Sequence, residues 1–155
     1  MGMSRVDTDQ ESDSHQLISS GPVASITNPR DVPLGGIRAM NVRRTLPHRG
    51  RTTIGAWCFL DHYGPNPQKG SAGMQVAPHP HTGLQTVSWL FSGNIEHRDS
   101  TGVTALVSPG SVNLMTAGRG IQHSEISTQD SASLHGVQLW IALPDHARHQ
   151  KAHFD

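Results

Sequence analysis

The run Ala77-Pro78-His79-Pro80-His81-Thr82-Gly83 puts two imidazoles two residues apart, so in an extended strand both rings leave the same face. Such a pair can share one metal ion. About forty residues on, Gly118-Arg119-Gly120-Ile121-Gln122-His123-Ser124-Glu125 repeats the spacing with an imidazole and a carboxylate. Neighbouring strands carrying the two dyads would bring His79, His81, His123 and Glu125 to one point. Three neutral imidazoles and one carboxylate leave a divalent ion with a net charge of about +1, and in octahedral geometry they leave two positions open. Open positions mean chemistry or exchangeable binding rather than a structural staple. Iron(II) is the expected metal, with manganese, nickel, copper and zinc as alternatives, since the affinity order alone would favour copper. A His-x-His pair by itself is more often an ordinary polar feature. The second dyad, with its glycine turn, moves the reading to a metal centre.

Eleven histidines stand against one tyrosine and three phenylalanines, so most of the imidazoles need a reading of their own. His97, in Glu96-His97-Arg98-Asp99-Ser100, reads as part of a solvated strand face. His62 reads as a turn residue ahead of Tyr63-Gly64-Pro65, with orientation of a ligand as the alternative. His135, His146, His149 and His153 are expected at the surface. Arg119, between two glycines, reads as a residue packing a turn, with an anionic-substrate contact as the alternative. Trp89 and Trp140 read as core rather than as a platform for a substrate. Cys58, between Trp57 and Phe59, reads as a small buried hydrophobe rather than a reactive thiol.

The dyads need strands to hold them, and the chain supplies short runs rich in β-branched and aromatic residues between Gly, Pro and Asn punctuation. Expected strands are Ile37 to Val42, Ala56 to Leu60, Leu84 to Phe91, Ile95 to Asp99, Val103 to Val107, Ser111 to Met115, Ile121 to Ile126 and Val137 to Leu143. Within the third of these, Val87, Trp89 and Phe91 share one face and Thr86, Ser88 and Leu90 the other. Ser92-Gly93-Asn94 then makes a hairpin turn. Pro78 and Pro80 remove ladder donors on either side of His79, which suits a strand end or barrel rim. No long window has a helical period, so the fold is all-β, a sandwich or barrel.

Twelve basic residues balance twelve acidic ones, so no global field draws the chain to nucleic acid or to an anionic membrane. Apolar stretches such as Val137 to Leu143 are far too short to span a bilayer, and the start of the chain is polar without a signal-peptide core. A single cysteine cannot form an internal disulfide, which fits a reducing compartment, and the cytoplasm is the expected location. Residues 1–22 are polar and aperiodic and read as a disordered leader; residues 23–155 are expected to form one domain.

At these residues the sequence resembles the pirin family of the cupin superfamily. The resemblance is carried by Phe59-Leu60-Asp61-His62-Tyr63-Gly64-Pro65, by His79-Pro80-His81-Thr82-Gly83-Leu84-Gln85-Thr86-Val87, by Met115-Thr116-Ala117-Gly118-Arg119-Gly120-Ile121-Gln122-His123-Ser124-Glu125 and by His135-Gly136-Val137-Gln138-Leu139-Trp140. It implies a single cupin-type β-barrel of antiparallel, jelly-roll-like strands over residues 23–155, equivalent to the N-terminal domain of a pirin. It also implies a metal site on His79, His81, His123 and Glu125. Gln85 stands where many cupins place a glutamate ligand, and the resemblance leaves it an orienting role at most. Pirins resemble a tandem of two barrels, and this chain stops where the first gives way to the second, as a fragment or a single-barrel relative would.

Two functions follow from the resemblance. One is a metal-dependent dioxygenase of the quercetin 2,3-dioxygenase type, with a flavonol-like substrate whose proton Glu125 accepts as the catalytic base. The other is an iron-dependent regulator that binds a protein partner and switches with the charge of its metal.

Overall fold

The computed structural model describes residues 24–34, 40–67, 73–130 and 132–155. Its elements are β1 (Arg30–Leu34), β2 (Met40–Leu46), β3 (Trp57–Pro67), β4 (Gln75–His81), β5 (Leu84–Ser92), β6 (Ile95–Asp99), β7 (Thr104–Val107), β8 (Asn113–Thr116), β9 (Ile121–Ser127), β10 (Ser133–Ala142) and β11 (His153–Phe154). There is no helix among the described residues, and so none long and apolar enough to cross a membrane.

The strands form two antiparallel sheets, one ordered β1-β2-β3-β10-β5-β8-β11 and the other β4-β9-β6-β7. This is the antiparallel cupin architecture expected from the sequence. No ladder joins the two sheets among the described residues, so the barrel is open and the sheets face each other as a jelly-roll sandwich. The main core closes the space between them, with Val42, Tyr63, Leu90 and Leu134 from the larger sheet meeting Ile95 and Val107 from the smaller. Each large side chain so buried contributes about 1.5–3 kcal/mol. A second cluster, Met115, Ala117, Ile121 and Ala152, seals the end where β11 pairs with β8.

Alternation places the functional face. In β9, Ile121, His123, Glu125 and Ser127 are buried while Gln122 and Ile126 are exposed. In β5 the buried set is Thr86, Ser88 and Leu90, and Phe91 on the other face is 52% exposed. Trp89 therefore lies on the outer face of its sheet, not in the core. Polar inward positions mislead a hydrophobic-pattern reading here.

Four elements escape the sequence patterns, in whole or in part. Pro33 sits in β1, which is tolerated because β1 is an edge strand. β3 and β10 run well beyond their expected bounds, pairing from Ser133 opposite Pro67 to Ile141 opposite Trp57. β11 supplies a closing element that the sequence does not announce. The expected leader, and residues 37–39 of the first expected strand, lie outside the described residues. At Gly64 a close approach demands glycine, since φ is +78° and a Cβ would run into the Leu134 carbonyl oxygen.

Candidate metal centre

β4 is an edge strand, which accommodates Pro78 and Pro80, and a register shift between Val76 and His79 sets His79 directly opposite His123 on β9. The dyads thus lie on adjacent strands. His81 Nε2 lies 3.0 Å from His79 Nε2 and 3.1 Å from His123 Nε2. Two nitrogens each about 2.1 Å from a common ion, at a right angle to one another, are about 3.0 Å apart. The observed spacing is that of neighbouring corners of a coordination sphere, and the three ligand atoms all fall within 4.8 Å of one another.

The donor chemistry fits a metal as well as the distances do. His79 Nδ1 lies 2.9 Å from the Ala77 carbonyl oxygen, so Nδ1 carries the proton and Nε2 presents its lone pair to the cluster. Burial, reinforced by the neighbouring His79, lowers the His81 pKa to about 4. Burial and then the other histidines lower that of His123 to about 3. At neutral pH both rings are neutral, the form that binds metal. Convergent lone pairs repel one another unless a proton or a cation sits among them.

Glu125 stands outside the group of three but lines the same cavity, opposite Val76 on β4. Its burial in apolar surroundings pushes the carboxyl up to about 7. A cation at the three imidazoles would favour the ionised form.

The cavity between the sheets has a volume of about 50 Å³, room for about three or four waters. Its far wall comes from the larger sheet. Phe59 and Trp140 stack with centroids 3.9 Å apart, and Trp140 meets the edge of His81 at 5.0 Å. Arg44 lies over Phe59 and clamps the buried Asp61 with two hydrogen bonds, both 2.7 Å. Gln138 completes this side, accepting a hydrogen bond from Ser88.

Tyr63 also lines the cavity, and its buried hydroxyl has no hydrogen-bond partner among the described residues. It lies against Gly136, where a Cβ would come within 2.8 Å of it. Burial raises its pKa, and the charge of Glu125 adds to the effect. An unsatisfied buried hydroxyl costs about 1–3 kcal/mol. Tyr63→Phe is therefore expected to raise the stability of the metal-free protein by up to about 1 kcal/mol, after the small void it leaves is counted. Urea unfolding checks this, and a clear loss of stability would show that the hydroxyl has a partner.

The single-residue expectations for His97, Trp140, His62 and His135 are corrected. His97 is 2% exposed rather than solvated, because β6 turns Glu96 and Arg98 outward and His97 inward. Its ring stacks on Phe154 at 4.3 Å, stands 5.3 Å from the His123 ring and bonds Asp99 at 3.0 Å. Against the burial that would raise it, hydrogen bonds from Thr101, His97 and Val103 hold the Asp99 carboxyl below its ordinary value. Trp140 lines the cavity instead of filling the core. His62 belongs to β3 rather than to a turn, and it pairs with His135, which is half-buried. Gln85 bonds Thr116 at 2.7 Å and does not line the cavity. Arg119 is exposed in a turn whose backbone bonds Gln150. Asp61, Arg44, Tyr63 and Gln138 are additions to the site, and the inward parity of Phe59, Asp61 and Tyr63 along β3 is the signal that marks three of its residues.

The pirin family model matches residues 37–141. The chain belongs to the pirin family. This pirin is 49% identical over 126 residues to a Pseudomonas aeruginosa protein provisionally assigned as a quercetin 2,3-dioxygenase, covering 81% of this chain and 39% of that one. It superposes on the crystal structure of Acinetobacter baumannii quercetin 2,3-dioxygenase with a TM-score of 0.76 and 45% identity, covering 83% of this chain and 42% of that one. A bacterial pirin from Escherichia coli, solved in complex with nickel(II), shares the fold with a TM-score of 0.64 at 23% identity, covering 82% of this chain and 53% of that one. This pirin spans about two fifths of the length of the first two relatives.

Proposed function

We propose that this chain carries the metal site of a pirin-type dioxygenase that acts on flavonol-like substrates, with iron(II) held by His79, His81, His123 and Glu125. The observation that carries the reading is the convergence of three imidazole Nε2 atoms beside a buried carboxylate in one cavity. The names of the Pseudomonas and Acinetobacter relatives support the reaction class.

When bound, the metal supplies a Lewis acid that lowers the pKa of a substrate hydroxyl and offers open positions for oxygen. The residues of the chain do the rest. Glu125, buried in the same cavity and ionised once a cation is held at the imidazoles, is placed to accept that proton. The Phe59 and Trp140 rings, stacked on one another, supply an apolar side to the cavity. The Arg44–Asp61 clamp fixes Phe59 from behind.

One observation favours a second reading, an iron-dependent regulatory protein that binds a partner without catalysis. A cavity of about 50 Å³ is well below the several hundred Å³ that usually enclose a drug-sized ligand. Only the chelating edge of a flavonol would enter it.

Anaerobic purification, elemental analysis and oxygen uptake on adding quercetin separate the two readings. Dioxygenase function predicts about one iron per chain and uptake that Glu125→Ala abolishes. A full metal site without uptake supports the regulator.

A further inference from the structure

Two more imidazoles meet on the opposite face of the larger sheet. In β3, Phe59, Asp61 and Tyr63 face the cavity, so His62 faces outward. His135 lies where the β10 register jumps, from Leu134 opposite Asn66 to Gly136 opposite Tyr63, and the pairing with β5 shifts at the same residue. A bulge of this kind re-aims the side chain it carries. Here it brings His135 Nε2 to 2.8 Å from His62 Nε2.

The pair repeats the geometry of the cavity cluster. Its ring centroids are 5.0 Å apart at 61°, against 5.0 Å and 52° for His81 and His123. Neither ring has another hydrogen-bond partner among the described residues, and both are half-buried, held by the sheet yet open to solvent. The nitrogen spacing is close to the ~2.9–3.0 Å of two imidazoles at adjacent corners of a square or octahedral ion.

We propose that His62 and His135 form a second metal site, exchangeable and distinct from the cavity, that takes a copper, nickel or zinc ion through two imidazoles with water completing the coordination. Burial, Arg43 and His135 together hold His62 below its ordinary pKa, so the ring is neutral and able to ligate at pH 7. Arg43, which donates to the Gly64 carbonyl at 2.7 Å, places a positive charge nearby. That charge and the smaller ligand count make this the weaker of the two sites. The neighbouring Phe91 ring, 4.7 Å from His135, covers one side of it.

Titration of the metal-free protein with copper(II) against a competing chelator tests the site. Two saturable steps are expected, with the second giving the electron paramagnetic resonance signature of two nitrogen ligands. His62→Gln and His135→Gln should each weaken the second step by tenfold or more and preserve the first, which also reports that the variant is folded. His149→Gln, at an exposed histidine, should leave both steps unchanged. The proposal is overturned if wild type shows no second step, or if that step survives in either pair variant.

Discussion

Replacing His123 with alanine is expected to weaken metal retention by about two orders of magnitude or more, since losing even an orienting partner of a ligand costs 10–100-fold. Among the three imidazoles His123 is the deepest, 3% exposed, and its Nε2 is held opposite the others by the β4–β9 ladder. Among the described residues the nearest other imidazole, His97, bonds Asp99 through its Nε2. His79→Ala and His81→Ala should fall in the same range. His149→Ala, at the surface, should retain full metal. His97→Ala should behave differently from both groups: it removes the ring stacked on Phe154 and should cost about 2–4 kcal/mol of stability, by analogy with other large buried side chains, while all the proposed ligands remain. Elemental analysis after dialysis against a chelator, paired with urea unfolding, separates these outcomes. Equal metal content in His79→Ala, His81→Ala, His123→Ala and wild type would sink the ligand assignment.

The half of the site contributed by β4 and β9 is legible in the sequence because strand periodicity converts a spacing of two into a shared face, and nothing in His79-Pro80-His81 or His123-Ser124-Glu125 interferes with that rule. The half contributed by the larger sheet is not, because its residues are related only through pairing between distant strands. Trp140 meets Phe59 because β10 and β3 are neighbours, with Trp140 directly opposite Phe59 across the ladder. Nothing local to either residue announces this. His97 is misread for a related reason: Glu96 and Arg98 form an ion pair on the exposed face, and charge on both sides of a strand residue says nothing about the face the residue itself occupies. The His62–His135 contact depends on a bulge, which no alternation pattern reveals.

The metal-free protein should lose stability on acidification, at a rate that Glu125 moderates. Folding lowers the pKa of His81 to about 4 and of His123 to about 3, from an ordinary 6.5, so their contribution is complete above about pH 6.5 and is lost as the pH falls toward those values. Folding raises Glu125 from 4.5 to about 7, so its contribution is complete below pH 4.5 and is lost as the pH rises through 7. Between about pH 6 and 4.5 the unfolded chain holds two histidine protons that the folded chain lacks, and the folded chain holds one on Glu125 that the unfolded chain lacks. For these three groups the net difference of one proton corresponds to a loss of about 1.4 kcal/mol per pH unit of acidification, to which the lowered His62 and Asp99 add with the same sign. Glu125→Gln removes the opposing group, so in that variant the slope over the same window should steepen by about 1.4 kcal/mol per pH unit. Urea midpoints of wild type and Glu125→Gln from pH 7 to 4.5, both stripped of metal, provide the measurement. Parallel slopes would show that Glu125 does not hold a proton in the metal-free folded cavity.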